Sequence, residues 1–121
     1  MSQFMLLLYD DPSSYADLTP ETMQKIVQEY GAWAGKMQAE GRLVEGSKLT
    51  DEGGRRMTTR GESVEVTDGP YAESKEVLGG YFVIRAESYE EAVALARECP
   101  HAKYGCRIDV RMVDLLGEDA G

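Results

Sequence analysis

The sequence predicts an α+β domain: a split βαβ sheet with both helices on one face and a β-hairpin inserted between its halves. Two observations carry this. A strand–helix–strand pattern occurs twice, over residues 4–49 and 80–113, and the stretch from 49 to 68 between them breaks into short alternating runs. Right-handed crossovers then bring the four outer strands into one sheet. No linker or composition break divides residues 1–121, so one domain is expected.

Residues 4–9 form a continuous apolar run ended by Asp10-Asp11-Pro12, as in a central strand followed by a loop. Thr19-Pro20-Glu21 supplies an N-cap, a proline at the first helical position and an acid in the first turn. Met23, Ile26, Val27, Tyr30, Ala34 and Met37 then recur at helical spacing as far as Glu40, and Gly41 is a natural stop. Gly31 and Gly35 inside this helix fit either close approach of another element or simple tolerance. Residues 42–45 read as a short strand into Gly46. The runs 57–59 and 64–66, on either side of Arg60-Gly61-Glu62, read as the hairpin.

Gly79-Gly80 reads as a tight turn into a buried strand at 80–85, Ser88-Tyr89-Glu90-Glu91 as a capping box, and Pro100 as the end of the second helix. Ala92, Val93 and Ala96, with Tyr89, make that helix's inner face. In the last strand Ile108, Val110 and Met112 alternate with Asp109 and Arg111. Helices on one face leave the other uncovered, and a homodimer that stacks two sheets solves that exposure.

A formal net charge of -9, from 22 acidic and 13 basic residues, repels a phosphate backbone, and no basic run exceeds Arg55-Arg56. Nucleic acid is therefore not an expected partner. The apolar opening is too short to span a membrane and lacks the basic leader and cleavage site of a signal peptide, so a cytoplasmic location without membrane contact is expected. Cys99, His101 and Cys106 supply three soft ligands where structural zinc takes four. The expectation is reduced thiols, no metal and no cofactor.

Asp68-Gly69-Pro70-Tyr71-Ala72-Glu73-Ser74-Lys75-Glu76 with Leu78-Gly79-Gly80-Tyr81 resembles the signature of the DGPF subgroup of the YCII-related family. The resemblance extends over most of the chain, from the opening Met5-Leu6-Leu7-Leu8-Tyr9-Asp10-Asp11 to Ala102-Lys103-Tyr104-Gly105 and Val110-Arg111-Met112-Val113. It implies a ferredoxin-like fold, assembled as a dimeric α+β barrel with a cleft between sheet and helices or at the dimer edge. Some relatives carry a His-Asp pair proposed as catalytic, and a related dehydrochlorinase acts on a small lactone. Where those relatives' histidine would lie, the first helix here offers Gly31, Ala32 and Trp33. Association of the subgroup with extracytoplasmic-function sigma factors implies a regulatory setting.

Asp68 is the candidate catalytic group, as a proton acceptor or ligand, set against its commoner role as a turn former. Tyr71 and Glu73 are candidate ligand-binding residues; Glu73 and Glu76, three apart, would pair on one turn of helix. Arg111 could hold a small carboxylate. His101, the sole histidine, is a candidate ligand-binding residue or base, although a lone histidine beside a proline is most often at the surface. Trp33 reads as a core or interface aromatic. The expected function is a cytosolic homodimer with a small-molecule cleft and its activity open. One alternative is an enzyme of small lactones or carboxylated substrates that uses Asp68. The other is an interaction module for a sigma-factor-related protein.

Overall fold

The computed structural model describes residues 1–11, 17–50, 54–68 and 76–116. Along the chain run β1 (Ser2–Asp10), α1 (Pro20–Ala39), β2 (Leu43–Lys48), β3 (Arg55–Arg60), β4 (Ser63–Asp68), β5 (Val77–Ala86), α2 (Tyr89–Arg97), α3 (Pro100–Lys103) and β6 (Ile108–Met112). Four strands make an antiparallel sheet in the order β2-β5-β1-β6, while β3 and β4 pair only with each other. This is the ferredoxin-like arrangement with an inserted hairpin, and the sheet of one chain is open.

Phe4, Leu6 and Leu8 alternate inward along β1 and meet Trp33 and Met37 of α1, Ile84 of β5, and Ala92 and Ala96 of α2. The α2 alanines let the helix backbone lie close to the sheet. Trp33 fills the centre, its ring edge-on to Phe82 at 4.9 Å and its indole N–H donating to Leu95 O at 3.1 Å. Burying such side chains stabilises the fold by roughly 1.5–3 kcal/mol each, and truncating fully buried Phe4 to alanine should cost about 3–5 kcal/mol.

The caps form as the sequence predicts. Thr19 Oγ1 accepts from Thr22 N at 3.1 Å with Pro20 at the first helical position, and Ser88 Oγ accepts from Glu91 N at 3.2 Å. The Glu91 carboxylate accepts in return from Glu87 N at 3.0 Å and from Arg42 at 2.7 Å, tying α2 to the start of β2. Nothing lies within 4 Å of a Cβ placed at Gly31 or Gly35, so these glycines are tolerated on an exposed face and mark no close approach.

Two boundaries differ from expectation. Pro100 ends α2 but also opens the single turn α3, because its fixed φ suits a first helical position as well as a stop. Strand β5 starts at Val77, so Gly79 and Gly80 lie inside it and do not form a turn. Met5, Leu7, Tyr81 and Val83 alternate with the inward residues and face away from both helices. The hairpin is exposed throughout, with Met57, Val64 and Val66 among its open apolar residues. Among the described residues no helix is long and apolar enough to cross a membrane.

Candidate functional site

The N-terminal half of α1 stands off the sheet. Met23, Ile26 and Val27 leave a cleft of about 440 Å³ between the helix and the β2–β5 edge of the sheet, within the usual range for small-ligand pockets. Gly46, Ser47 and Lys48 of β2 and Leu78, Gly79, Gly80 and Phe82 of β5 form its floor. The walls are largely apolar, and the polar end is made by Asp10, Tyr30 and His101.

His101 is buried, with 2% of its surface exposed, which corrects the expectation of a surface histidine. Pro100 and the turn of α3 aim the ring inward beneath α1. Its Nε2 lies 2.7 Å from Tyr9 O. A carbonyl only accepts, so Nε2 carries a proton, and in a neutral ring the lone pair is then on Nδ1. That lone pair accepts from the Tyr30 hydroxyl at 2.6 Å, and an Asp10 carboxylate oxygen lies 3.9 Å away. Burial, reinforced by neighbouring Cys99 and Asp10, pushes the Tyr30 phenol above its ordinary range, so Tyr30 stays a hydrogen-bond donor.

Asp10 owes its position to the glycine pair. Leu8 pairs with Gly80 but Tyr9 pairs with Leu78, so Gly79 is an extra residue bulged out of register in β5. A Cβ at Gly79 would collide with the Asp10 carboxylate, and one at Gly80 would press on Ser47 O at 2.8 Å. Their role is close approach within a sheet.

The sequence-predicted site residues scatter. Asp68 ends the exposed hairpin opposite Arg55 and does not line the cleft. Arg111 is exposed on β6 opposite Met5, on the helix-free face. Tyr71 and Glu73 lie outside the described residues. Of the predicted site residues that are described, only His101 lines the cleft, and it does so from α3. From sequence Asp10 is a loop terminator and Tyr30 one of a helix's inward positions, and neither is an expected site residue. The signal for Asp10 was its parity with Phe4, Leu6 and Leu8, which keeps a carboxylate on the inward face; the signal for Tyr30 was a phenol in a buried stripe, whose hydroxyl needs a partner.

The chain belongs to the YCII-related domain family, whose sequence model matches residues 2–115. An uncharacterized protein of Rhizobium meliloti (strain 1021) is 30% identical over 101 residues, which cover 82% of this chain and 81% of that one.

Proposed function

We propose that this YCII-related protein is a cytosolic homodimer of the DGPF type. In this reading, each chain binds a small organic molecule in the cleft beneath α1, with an apolar body against Met23, Ile26 and Phe82 and one polar head at Tyr30, His101 and Asp10. The observation that carries it is a mostly apolar cavity of about 440 Å³ into which Asp10, Tyr30 and His101 bring a cluster of polar groups. Such a site orients a ligand by its head and gains affinity from its body. A carbonyl or carboxyl head fits, because the Lys48 ammonium at the floor has donors beyond its bond to Leu49 O, while the Tyr30 oxygen, its proton given to His101, accepts from an acid's hydroxyl. The Asp68-to-Tyr81 stretch supports the subgroup, and the half-buried Met5, Leu7 and Tyr81 on the helix-free face support the pairing of two sheets.

A thermal-shift screen of small lactones and carboxylates tests the reading. Ligand at a hundred times its Kd stabilises by about 2.7 kcal/mol. Compounds that raise the melting temperature of wild type should do so far less for Tyr30→Phe and Asp10→Asn. Failure of every compound on wild type, or equal shifts in all three proteins, would count against the cleft.

The fixed tautomer of His101 also favours a catalytic form of the same reading. As Tyr30 oxygen takes a proton from a bound carbonyl compound, Nδ1 takes the phenol's own proton, and Asp10 faces the resulting imidazolium. Solvent deuterium exchange into the bound compound, lost in Tyr30→Phe, would distinguish this from binding alone.

A further inference from the structure

We propose that Asp10, His101 and Cys106 form a binding site for a single zinc-like divalent cation at the inner end of the cleft. The His101 imidazole, an Asp10 carboxylate oxygen and the Cys106 sulfur each present a donor atom, and the three lie within 4.8 Å of one another. The Cys99/His101/Cys106 set suggested by sequence spacing does not assemble. Cys99 is fully buried in the core, where burial pushes its thiol up to about 11, and Asp10 from β1 takes its place in the cluster.

The backbone holds the three donors in register. Tyr9 N donates to Arg107 O at 3.0 Å, bringing the end of β1 beside Cys106, and Cys106 N donates to His101 O at 3.1 Å. Tyr9 O in turn accepts Nε2–H of His101 at 2.7 Å. A metal-binding imidazole commonly gives its other N–H to a carbonyl or carboxylate, which orients the ring and strengthens its lone pair. Here that partner is in place, and Nδ1 faces Asp10 at 3.9 Å. A cation would take the lone pair that Tyr30 uses in the metal-free protein and return the phenol to the cleft.

The donor chemistry selects the ion. One nitrogen, one carboxylate oxygen and one thiolate match zinc or cobalt(II), whereas magnesium and calcium take all-oxygen shells. Tetrahedral zinc sets neighbouring ligands about 3.3–3.8 Å apart, so the half-buried Asp10 and Cys106 side chains need move only about 1 Å toward the fixed ring. With a thiolate and a carboxylate present, a dication leaves the site neutral. Three protein ligands also leave one coordination position for a water or the head of a bound molecule. The proposal does not depend on any organic ligand, so its failure would leave the small-molecule reading standing.

Cobalt(II) titration of reduced, chelator-treated protein is the test. The expected result is one equivalent bound per chain, with a near-ultraviolet thiolate-to-cobalt band and the visible bands of a tetrahedral ion, both removed by zinc. Cys106→Ser should abolish the thiolate band and Cys99→Ser should keep it. Asp10→Asn, at a half-buried position, should keep the band but weaken binding at least about tenfold. Far-ultraviolet circular dichroism checks the fold of each variant. Absence of a cobalt spectrum in wild type, persistence of the band in Cys106→Ser, or unchanged affinity in Asp10→Asn would each overturn the proposal. Should Cys106→Ser not fold, the Asp10→Asn affinity decides.

Discussion

The Asp10 carboxylate occupies the space that a side chain at Gly79 would need, across the bulge between β1 and β5. The two residues are 69 positions apart in sequence, yet the acid at the cleft's polar end depends on the missing Cβ.

Gly79 and its neighbour should therefore respond differently to substitution. In Gly79→Ala the obstacle is the end of a rotatable side chain, so Asp10 swings away, stability changes by less than about 1 kcal/mol, and ligand and cobalt binding weaken. In Gly80→Ala the obstacle is the Ser47 carbonyl of a paired strand, and the cost should be about 1–3 kcal/mol. Urea denaturation of both variants checks the order; equal losses would contradict it.

Tyr30→Phe deletes the donor to His101 Nδ1 in a buried setting. Leaving an acceptor unpaired there should destabilise the protein by about 1–3 kcal/mol. His101→Ala should cost more, because it also leaves Tyr9 O and the Tyr30 hydroxyl without this partner. Denaturant midpoints at neutral pH give both values.

Alkaline pH should weaken the fold. Cys99 is an acid whose folded pKa is raised to about 11 by burial, so below the ordinary thiol range both states are protonated and stability is full. Between that range and about 11 the unfolded chain loses the proton while the folded one keeps it, and stability falls as pH rises. The raised Tyr30 phenol adds the same sign above the ordinary phenol value. Urea midpoints measured from pH 8 upward should fall less steeply for Cys99→Ala than for wild type.

The helix-free sheet face gives a solution prediction. Leu7→Lys places a charge among Met5, Tyr81 and Val83 without touching the helix-side core. Sedimentation should report a dimer for wild type and a monomer of unchanged helix content for the variant. A monomeric wild type over a wide concentration range would remove the dimer.

Local chemistry made the fold legible. Thr19-Pro20, Gly41 and the Ser88–Glu91 box act within a few residues, and the alternation of Phe4, Leu6 and Leu8 faces one way whatever lies opposite, so the order of the strands and the two longer helices and the inward face of β1 followed from sequence, whereas α3 and the exposure of Val27 and Tyr89 did not. The glycine pair misled, because a bulge in a strand and a turn before it use the same residue type, and only the register between Leu8 and Tyr9 separates them. The site itself was decided by tertiary structure. Asp10, Tyr30 and His101 come from three elements and meet only when β1 pairs with β5 and α3 folds under α1. A lone histidine carries no local signal of burial; its partners are a carbonyl and a phenol, which become recognisable as partners only through distance.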